Sequence, residues 1–269
     1  MPGSETQNSM FKKTKGYVQE GNPFAVTSCG RRRNTGQSIV ESDSPLEKRL
    51  RKTLPSLEKF LKDSKKNKIE LIFVSDGSTD RTNNIIYNFI NSEKYKISLI
   101  KYKKNICKGY AVKKGILKAK NQWILICDVD LSVHPKQFNI WFNDQMINSS
   151  KCAYYGSREH KHSKVKASPA RLILGFFFRT LIRFLFDINL SDTQCGFKVF
   201  HQSYAKKIFK KMKSYRFSFD IELTILLKKN KIKVIELQKK PTWLPPQPIL
   251  NIGVMMRLIY ERFRAKSEI

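Results

Sequence analysis

Apolar positions recur along this chain with two different periods. From Pro45 to Lys62 (PLEKRLRKTLPSLEKFLK), Leu46, Leu50, Leu54, Leu57 and Leu61 fall three or four apart, with lysines and arginines between them. That spacing predicts an amphipathic helix, bent at Pro55. Ile69 to Val74 is instead a short continuous apolar run with β-branched residues. It predicts a buried strand that stops at the turn cluster Ser75-Asp76-Gly77-Ser78, with a helix from Asp80. Further strands are predicted over Tyr95–Tyr102, Trp123–Cys127 and Cys152–Tyr155. Helices are predicted over Lys108–Lys120 and from Asp220. Strands alternating with helices imply an α/β sandwich with a mostly parallel central sheet. Ligands of such sheets bind beyond the carboxyl ends of the strands. Asp76, Asp128 and Asp130 all fall at those ends.

The segment WILICDVDLSVHP (Trp123 to Pro135) runs an apolar strand straight into two aspartates. Carboxylates two positions apart on extended chain point to the same side. Asp128 and Asp130 can therefore grip one hard divalent cation through oxygen. The same pair also fits a turn whose aspartates cap a helix.

Charge adds a preference for anionic partners. Lys plus Arg number 52 against 22 Asp plus Glu, a formal net charge of +30. Such a surface draws polyanions: nucleic acid, anionic lipid heads, nucleotides or phosphates. The basic residues are spread along the whole chain and no nucleic-acid recognition motif appears, so no nucleic acid is expected as partner. The five cysteines, Cys29, Cys107, Cys127, Cys152 and Cys195, have no C-x-x-C spacing. That argues against a zinc site or a secreted disulfide framework and for a reducing, cytosol-facing compartment. Residues 1–37 are polar and mixed, rich in Gly, Ser, Thr and Asn, and are expected to be disordered. The expected domain runs from 38 to 248, with an amphipathic basic helix over 249–269.

Six stretches occur in one order: FVSDGSTDRT (73–82), KNICKGYAVKKG (104–115), CDVDLS (127–132), YGSR (155–158), SDTQCGFKVF (191–200) and RFSFDIELTILLKKN (216–230). Together they resemble the family 2 glycosyltransferases of the GT-A (Rossmann-like) fold. The nearest branch is that of the dolichyl-phosphate glucosyltransferases, with the mannosyltransferases next. The resemblance covers about residues 66 to 264. It implies transfer of glucose from UDP-glucose to a dolichyl or polyprenyl phosphate, with inversion. The alternatives are GDP-mannose as donor, a catalytically impaired relative, or a basic nucleic-acid-binding protein.

The resemblance also implies roles for residues. Glu47, Asp76, Asn105, Lys108 and Asp128 would bind the nucleotide sugar. Asp128 and Asp130 would hold Mg2+ or Mn2+ on the diphosphate. Arg158, Arg179, Gln194 and Lys198 would bind the acceptor phosphate, and Arg171 lies on the same side. Asp130, Asp192 and Asp220 are the candidate catalytic carboxylates. Asp220 also fits a helix cap, and Glu222 a structural role. Cys107 stands where the family usually has glycine. The first strand is expected near Ile39 and Val40, within SIVESDSPLEKRL (38–50). With Glu41 following at once it is only two residues long, which implies a poorly formed edge of the nucleotide pocket.

Pro169 to Leu190 (PARLILGFFFRTLIRFLFDINL) is nearly long enough to span a bilayer, but Arg179, Arg183 and Asp187 lie four apart. They form a polar stripe on a greasy helix. An arginine at the centre of a span costs roughly 2.5–3.5 kcal/mol. A helix lying in the membrane interface is expected instead, with Phe176, Phe177, Phe178, Phe184 and Phe186 in lipid. The alternative is a buried core helix. The expected location is the cytosolic face of a membrane: endoplasmic reticulum if eukaryotic, inner membrane if bacterial.

Overall fold

A computed structural model of the chain describes residues 24–28, 45–64, 69–92, 95–157, 180, 182–216 and 218–238. In chain order the elements are β1 (Phe24–Ser28), α1 (Pro45–Asp63), β2 (Glu70–Asp76), α2 (Thr82–Ser92), β3 (Lys96–Tyr102), α3 (Lys108–Lys118), β4 (Trp123–Asp128), α4 (Lys136–Asn143) and β5 (Cys152–Ser157). After a helical stretch over 182–186 come β6 (Lys198–His201), α5 (Gln202–Lys211), α6 (Phe219–Lys229) and β7 (Lys233–Gln238). The strands form one seven-stranded sheet in the order β3-β2-β1-β4-β6-β5-β7. Strand β1 is parallel to β2 and β4, β2 to β3, and β5 to β7; β6 runs antiparallel to both its neighbours. The mostly parallel sheet expected from the pattern is therefore present.

The continuous apolar runs have a simple cause: both faces of the sheet are covered. Side chains alternate along a strand, so Leu71 and Phe73 of β2 and Leu125 and Cys127 of β4 point to one face. There they meet Leu50, Leu57, Phe60 and Leu61 of α1, Ile86 and Phe89 of α2, and Phe138 and Trp141 of α4. Ile72 and Val74 of β2 and Ile124 and Ile126 of β4 point to the other. They meet Ala111, Val112 and Ile116 of α3, Ile208 and Phe209 of α5, and Phe219, Leu223 and Leu227 of α6. Each fully buried side chain of this kind contributes about 1.5–3 kcal/mol. Helix α1 runs through Pro55 without a break in its assignment, held by leucines packed on both sides of it.

The first strand differs from the expectation. It is Phe24–Ser28, in the stretch read as disordered, and it fills the central position between β2 and β4. Residues 29–44, including Ile39 and Val40, lie outside the described residues. So do residues 239–269 and most of the 169–190 segment. Of that segment, Ile182 and Ile188 are buried with Ile221 of α6, while Phe184 is 85% exposed. The main-chain carbonyl of Asp187 accepts from Lys228 Nζ at 2.7 Å.

Candidate active site

The carboxyl ends of β2 and β4 place Asp76 and Asp128 at the same edge of the sheet. Asp76 is fully buried, and its carboxylate turns back on the protein. Oδ1 accepts from the Ile106 amide at 2.8 Å and Oδ2 from the Cys107 amide at 2.8 Å. Its own carbonyl accepts from Asn105 Nδ2 at 2.9 Å. Asp76, expected at the nucleotide-sugar site, thus also has a structural job. It pins the loop leading into α3, with hydrogen bonds to a charged group worth about 1.5–3 kcal/mol each. Gly77 follows with φ +68°, and a Cβ there would lie 2.4 Å from the Asn105 amide nitrogen. Only glycine suits both the backbone and the space.

That pinned loop holds Cys107 at φ 106° and ψ 164°, a backbone region natural to glycine and strained for any side chain by about 1–3 kcal/mol. The departure from the family glycine noted in the sequence therefore falls on a residue whose geometry asks for one. Directly after it, Lys108 opens α3 and reaches across to β4. Its Nζ lies 2.7 Å from Asp128 Oδ1, with the two side chains 17% and 29% exposed. Gly109 lets α3 pack tightly here: a Cβ would meet Phe219 Cβ at 2.7 Å and the Ser214 and Tyr215 carbonyl oxygens at 2.9 Å.

Beyond β4 the chain turns sharply, with Leu131 at φ 47° and its amide bonded to the Asp128 carbonyl at 2.9 Å. Asp130 Oδ1 accepts from the Ser132 amide at 3.0 Å. Burial first, and then the neighbouring charge of Asp128, push the Asp130 carboxyl above its ordinary value; Arg49 and Lys108 pull against that. On the other side of Asp128 stands Gly196, where a Cβ would fall 1.9 Å from Asp128 Oδ2. Nothing local in the sequence sets Gly196 apart. Only the spatial approach of the 191–197 loop to β4 reveals it.

Asp220 and Lys198 form a second layer behind this pair. Lys198 is 1% exposed, and its Nζ bonds Asp220 Oδ1 at 2.5 Å and the Cys195 carbonyl at 2.6 Å. It also sits 4.9 Å from the centre of the Tyr155 ring. Burial pushes the Asp220 carboxyl up, and Lys198 and then Lys108 pull it down. These are the residues expected at the acceptor phosphate and as a catalytic carboxylate. Both charges are buried and spent on each other, joining β6 and α6 to the 191–196 loop. Glu222 takes the Lys213 and Ser214 amides at 2.8 and 2.6 Å, a structural use.

The 191–194 turn is held by a residue absent from the sequence reading. Glu236 of β7 accepts from the Ser191 and Asp192 amides, each at 2.8 Å. Asp192 is buried, with Oδ1 accepting from the Gln194 amide at 3.2 Å. An acid inside the strand-like run KVIELQ gives no local sign that it will cup a distant turn. Glu47 is likewise buried and accepts from the Arg81 amide at 2.7 Å, fastening α1 to the β2–α2 turn. Arg158, Arg171 and Arg179 lie outside the described residues.

What remains at the cleft edge is an all-oxygen donor pair, Asp128 and Asp130, which fits a hard divalent cation. Among the described residues no group of three or more His, Cys, Asp or Glu side chains is arranged to hold a metal. A bound diphosphate could add further ligand oxygen.

Known proteins resemble the chain over most of its length. The chain is 32% identical over 224 residues to dolichyl-phosphate beta-glucosyltransferase of Dictyostelium discoideum, covering 74% of this chain and 68% of that one. It is 33% identical over 201 residues to such an enzyme of Trichomonas vaginalis (71% and 61%), and 32% over 213 residues to that of Homo sapiens (74% and 65%). The chain spans about two thirds of the length of these curated relatives. The fold matches that of glucosyl-3-phosphoglycerate synthase from Mycobacterium tuberculosis, with a TM-score of 0.56 at 13% identity over 93% of this chain and 82% of that one. It also matches a mannosyltransferase from Pyrobaculum calidifontis in complex with GDP-Man and Mn2+, with a TM-score of 0.51 at 11% identity over 82% and 57%. The family model for glycosyl transferase family 2 matches residues 43–209, downstream of β1. With more than half its length inside that match, and with this sheet order, the chain belongs to glycosyl transferase family 2.

Proposed function

We propose that the chain transfers glucose from UDP-glucose to a dolichyl or polyprenyl phosphate. The observation that carries the reading is the pairing at the sheet edge: Lys108 2.7 Å from Asp128, with Asp130 two residues on. It offers a cation and two carboxylates where an α/β sheet receives ligands. The acceptor follows from the names of the relatives, dolichyl-phosphate beta-glucosyltransferases. A phosphate oxygen of the lipid attacks the sugar's anomeric carbon. The bond to UDP breaks on the opposite side, its electrons go to the departing diphosphate, and the configuration inverts. A lipid phosphate is already largely ionised at neutral pH, since its second pKa is about 6. It needs orientation and neutralisation more than a base, which accords with Asp220 being tied to Lys198.

Mg2+ or Mn2+, when bound, supplies Lewis-acid neutralisation of the leaving diphosphate. Asp128 and Asp130 are the residues that would hold it. Lys108 would pair with the diphosphate, and Asp76 and Asn105 keep the loop beneath it in shape. Asp192 and Gln194, on the turn fixed by Glu236, would face the acceptor. The reading includes attachment at the cytosolic face of the endoplasmic reticulum. Among the described residues no helix is long and apolar enough to cross a membrane. The exposed Phe184 beside exposed Arg183 supports contact with a lipid surface instead.

The test is transfer to dolichyl phosphate in detergent with Mg2+ or Mn2+ and a panel of labelled nucleotide sugars. Glucosylated lipid from UDP-glucose alone is the expected product. Transfer from GDP-mannose in preference, or no lipid product from any donor, would overturn the proposal.

A further inference from the structure

Three observations meet at Asp128. Its Oδ1 is engaged by the Lys108 ammonium at 2.7 Å. Its Oδ2 is pressed against the Gly196 backbone, with room there for no Cβ. Lys108 also acts electrostatically on Asp130, Asp220 and Cys127, so one ammonium serves the whole acidic cluster around the end of β4. The ammonium occupies one of the two oxygens that Asp128 could offer a cation shared with Asp130. Among the described residues, two carboxylates and no third His, Cys, Asp or Glu side chain come together at that place.

We infer that Lys108 is a resident counter-ion of Asp128, and that a nucleoside diphosphate must draw it away before a divalent cation is gripped by both aspartates. The inference rests on reading Asp128 and Asp130 as the cation ligands. A divalent cation arriving alone has to displace an ammonium already in hydrogen-bond contact, and meets two carboxylates among the described side chains. A diphosphate changes both terms. It offers Lys108 a new anionic partner, and it adds its own oxygens beside those of the aspartates. Cation and nucleotide therefore bind with positive coupling, and by linkage each raises the affinity of the other by the same factor. Lys108 is a positioning residue in this scheme: it keeps the site closed to metal until a donor is present.

The experiment counts free Mn2+ by electron paramagnetic resonance during titration, with and without saturating UDP, a readout independent of turnover. In the wild-type chain UDP should tighten Mn2+ binding by roughly 5- to 150-fold, the usual range of such couplings. Lys108→Met should bind Mn2+ alone at least about tenfold more tightly than wild type, with a smaller gain on adding UDP than in wild type, the part due to the diphosphate's own oxygens; a tenfold change corresponds to about 1.4 kcal/mol. Lys108→Arg keeps the charge and so should bind Mn2+ alone no more tightly than wild type, which holds the test open should the Met variant fold poorly. Equal Mn2+ affinity with and without UDP in the wild type overturns the inference. So does equal affinity of wild type and Lys108→Met without UDP, or Lys108→Arg behaving like Lys108→Met. Asp128→Asn and Asp130→Asn separate the two levels. If both still bind Mn2+ like wild type, the assignment of the cation ligands fails, and the inference fails with it.

Discussion

Replacing Gly196 by alanine should damage ligand binding far more than folding. The backbone at Gly196 does not have a positive φ, since Gly77 alone does so among the described glycines. Alanine is therefore conformationally acceptable there. What it lacks is space: the new methyl would sit 1.9 Å from Asp128 Oδ2, 2.5 Å from Cγ and 3.0 Å from Oδ1. A carboxylate is a movable end, so the clash is relieved by rotating Asp128 away. That rotation gives up the 2.7 Å bond to Lys108. A hydrogen bond to a charged group is worth about 1.5–3 kcal/mol, and partial exposure of both partners moves its share of folding stability to about 1 kcal/mol. The loss on binding is larger, because the displaced carboxylate no longer faces the cleft. At 1.4 kcal/mol per factor of ten, UDP binding with Mn2+ should weaken by about 10- to 100-fold. Calorimetry gives the binding and urea unfolding the stability. Gly156→Ala is the control. Its Cβ would meet Cys195 Sγ at 3.2 Å but would not touch Asp128, so UDP affinity should hold. If Gly196→Ala binds UDP and Mn2+ within about twofold of wild type, the argument that Gly196 sets the position of Asp128 is wrong.

Three further outcomes follow from the same structure. Cys107→Gly should raise stability by on the order of 1 kcal/mol in urea unfolding, because φ 106° is strained for cysteine and free for glycine; a loss of stability would contradict the strain. Lys198→Met should destabilise by about 3–5 kcal/mol, since it leaves Asp220 buried and unpaired, and adding Asp220→Leu should restore much of that; a double variant no better than the single would show that the ion pair is not the cause. His134 and His201 both have imidazoles held below the ordinary value of 6.5, chiefly by burial. A depressed folded value means stability present above 6.5 and lost as the pH falls through the folded values. Thermal unfolding should therefore show a decline as the pH falls below about 6.5 that flattens in the His134→Gln, His201→Gln chain.

Most of the sheet is readable from apolar runs because its strands are buried on both faces. Ile69 to Val74 and Trp123 to Cys127 predict β2 and β4 to within a residue or two. The amphipathic spacing of Leu46 to Leu61 predicts α1 just as closely. The run F-A-V-T-S was passed over. It is only five residues long, lies in a polar surrounding, and owes its place to pairing with β2 and β4, which are far away in sequence. The site divides in the same way. Asp128 and Asp130 stand out because two acids after an apolar strand are costly without a reason. Lys198 and Asp220 look like cleft residues in the sequence, yet they are buried against each other. No local pattern distinguishes a charge that faces ligand from one that faces another charge twenty-two residues away. Glu236 and Gly196 matter only through tertiary approach.

The place of β1 has a consequence for how the molecule assembles. Its register sets Phe24 opposite Leu71 on one side and Leu125 on the other. Take it away and the sheet falls into two ribbons, β3-β2 and β4-β6-β5-β7, with no strand joining them. Strand β1 has to pair with β4 roughly a hundred residues further along the chain, and closures of that span slow folding. Until β1 has paired with both β2 and β4, the edges of those two strands present open backbone donors and acceptors, the condition that invites pairing with a wrong chain. A proteolytic cut between β1 and α1 would leave every residue of the cation site in place while removing the keystone between Asp76 and Asp128. Aggregation during folding, rather than loss of chemistry, is the failure to which this arrangement exposes the chain.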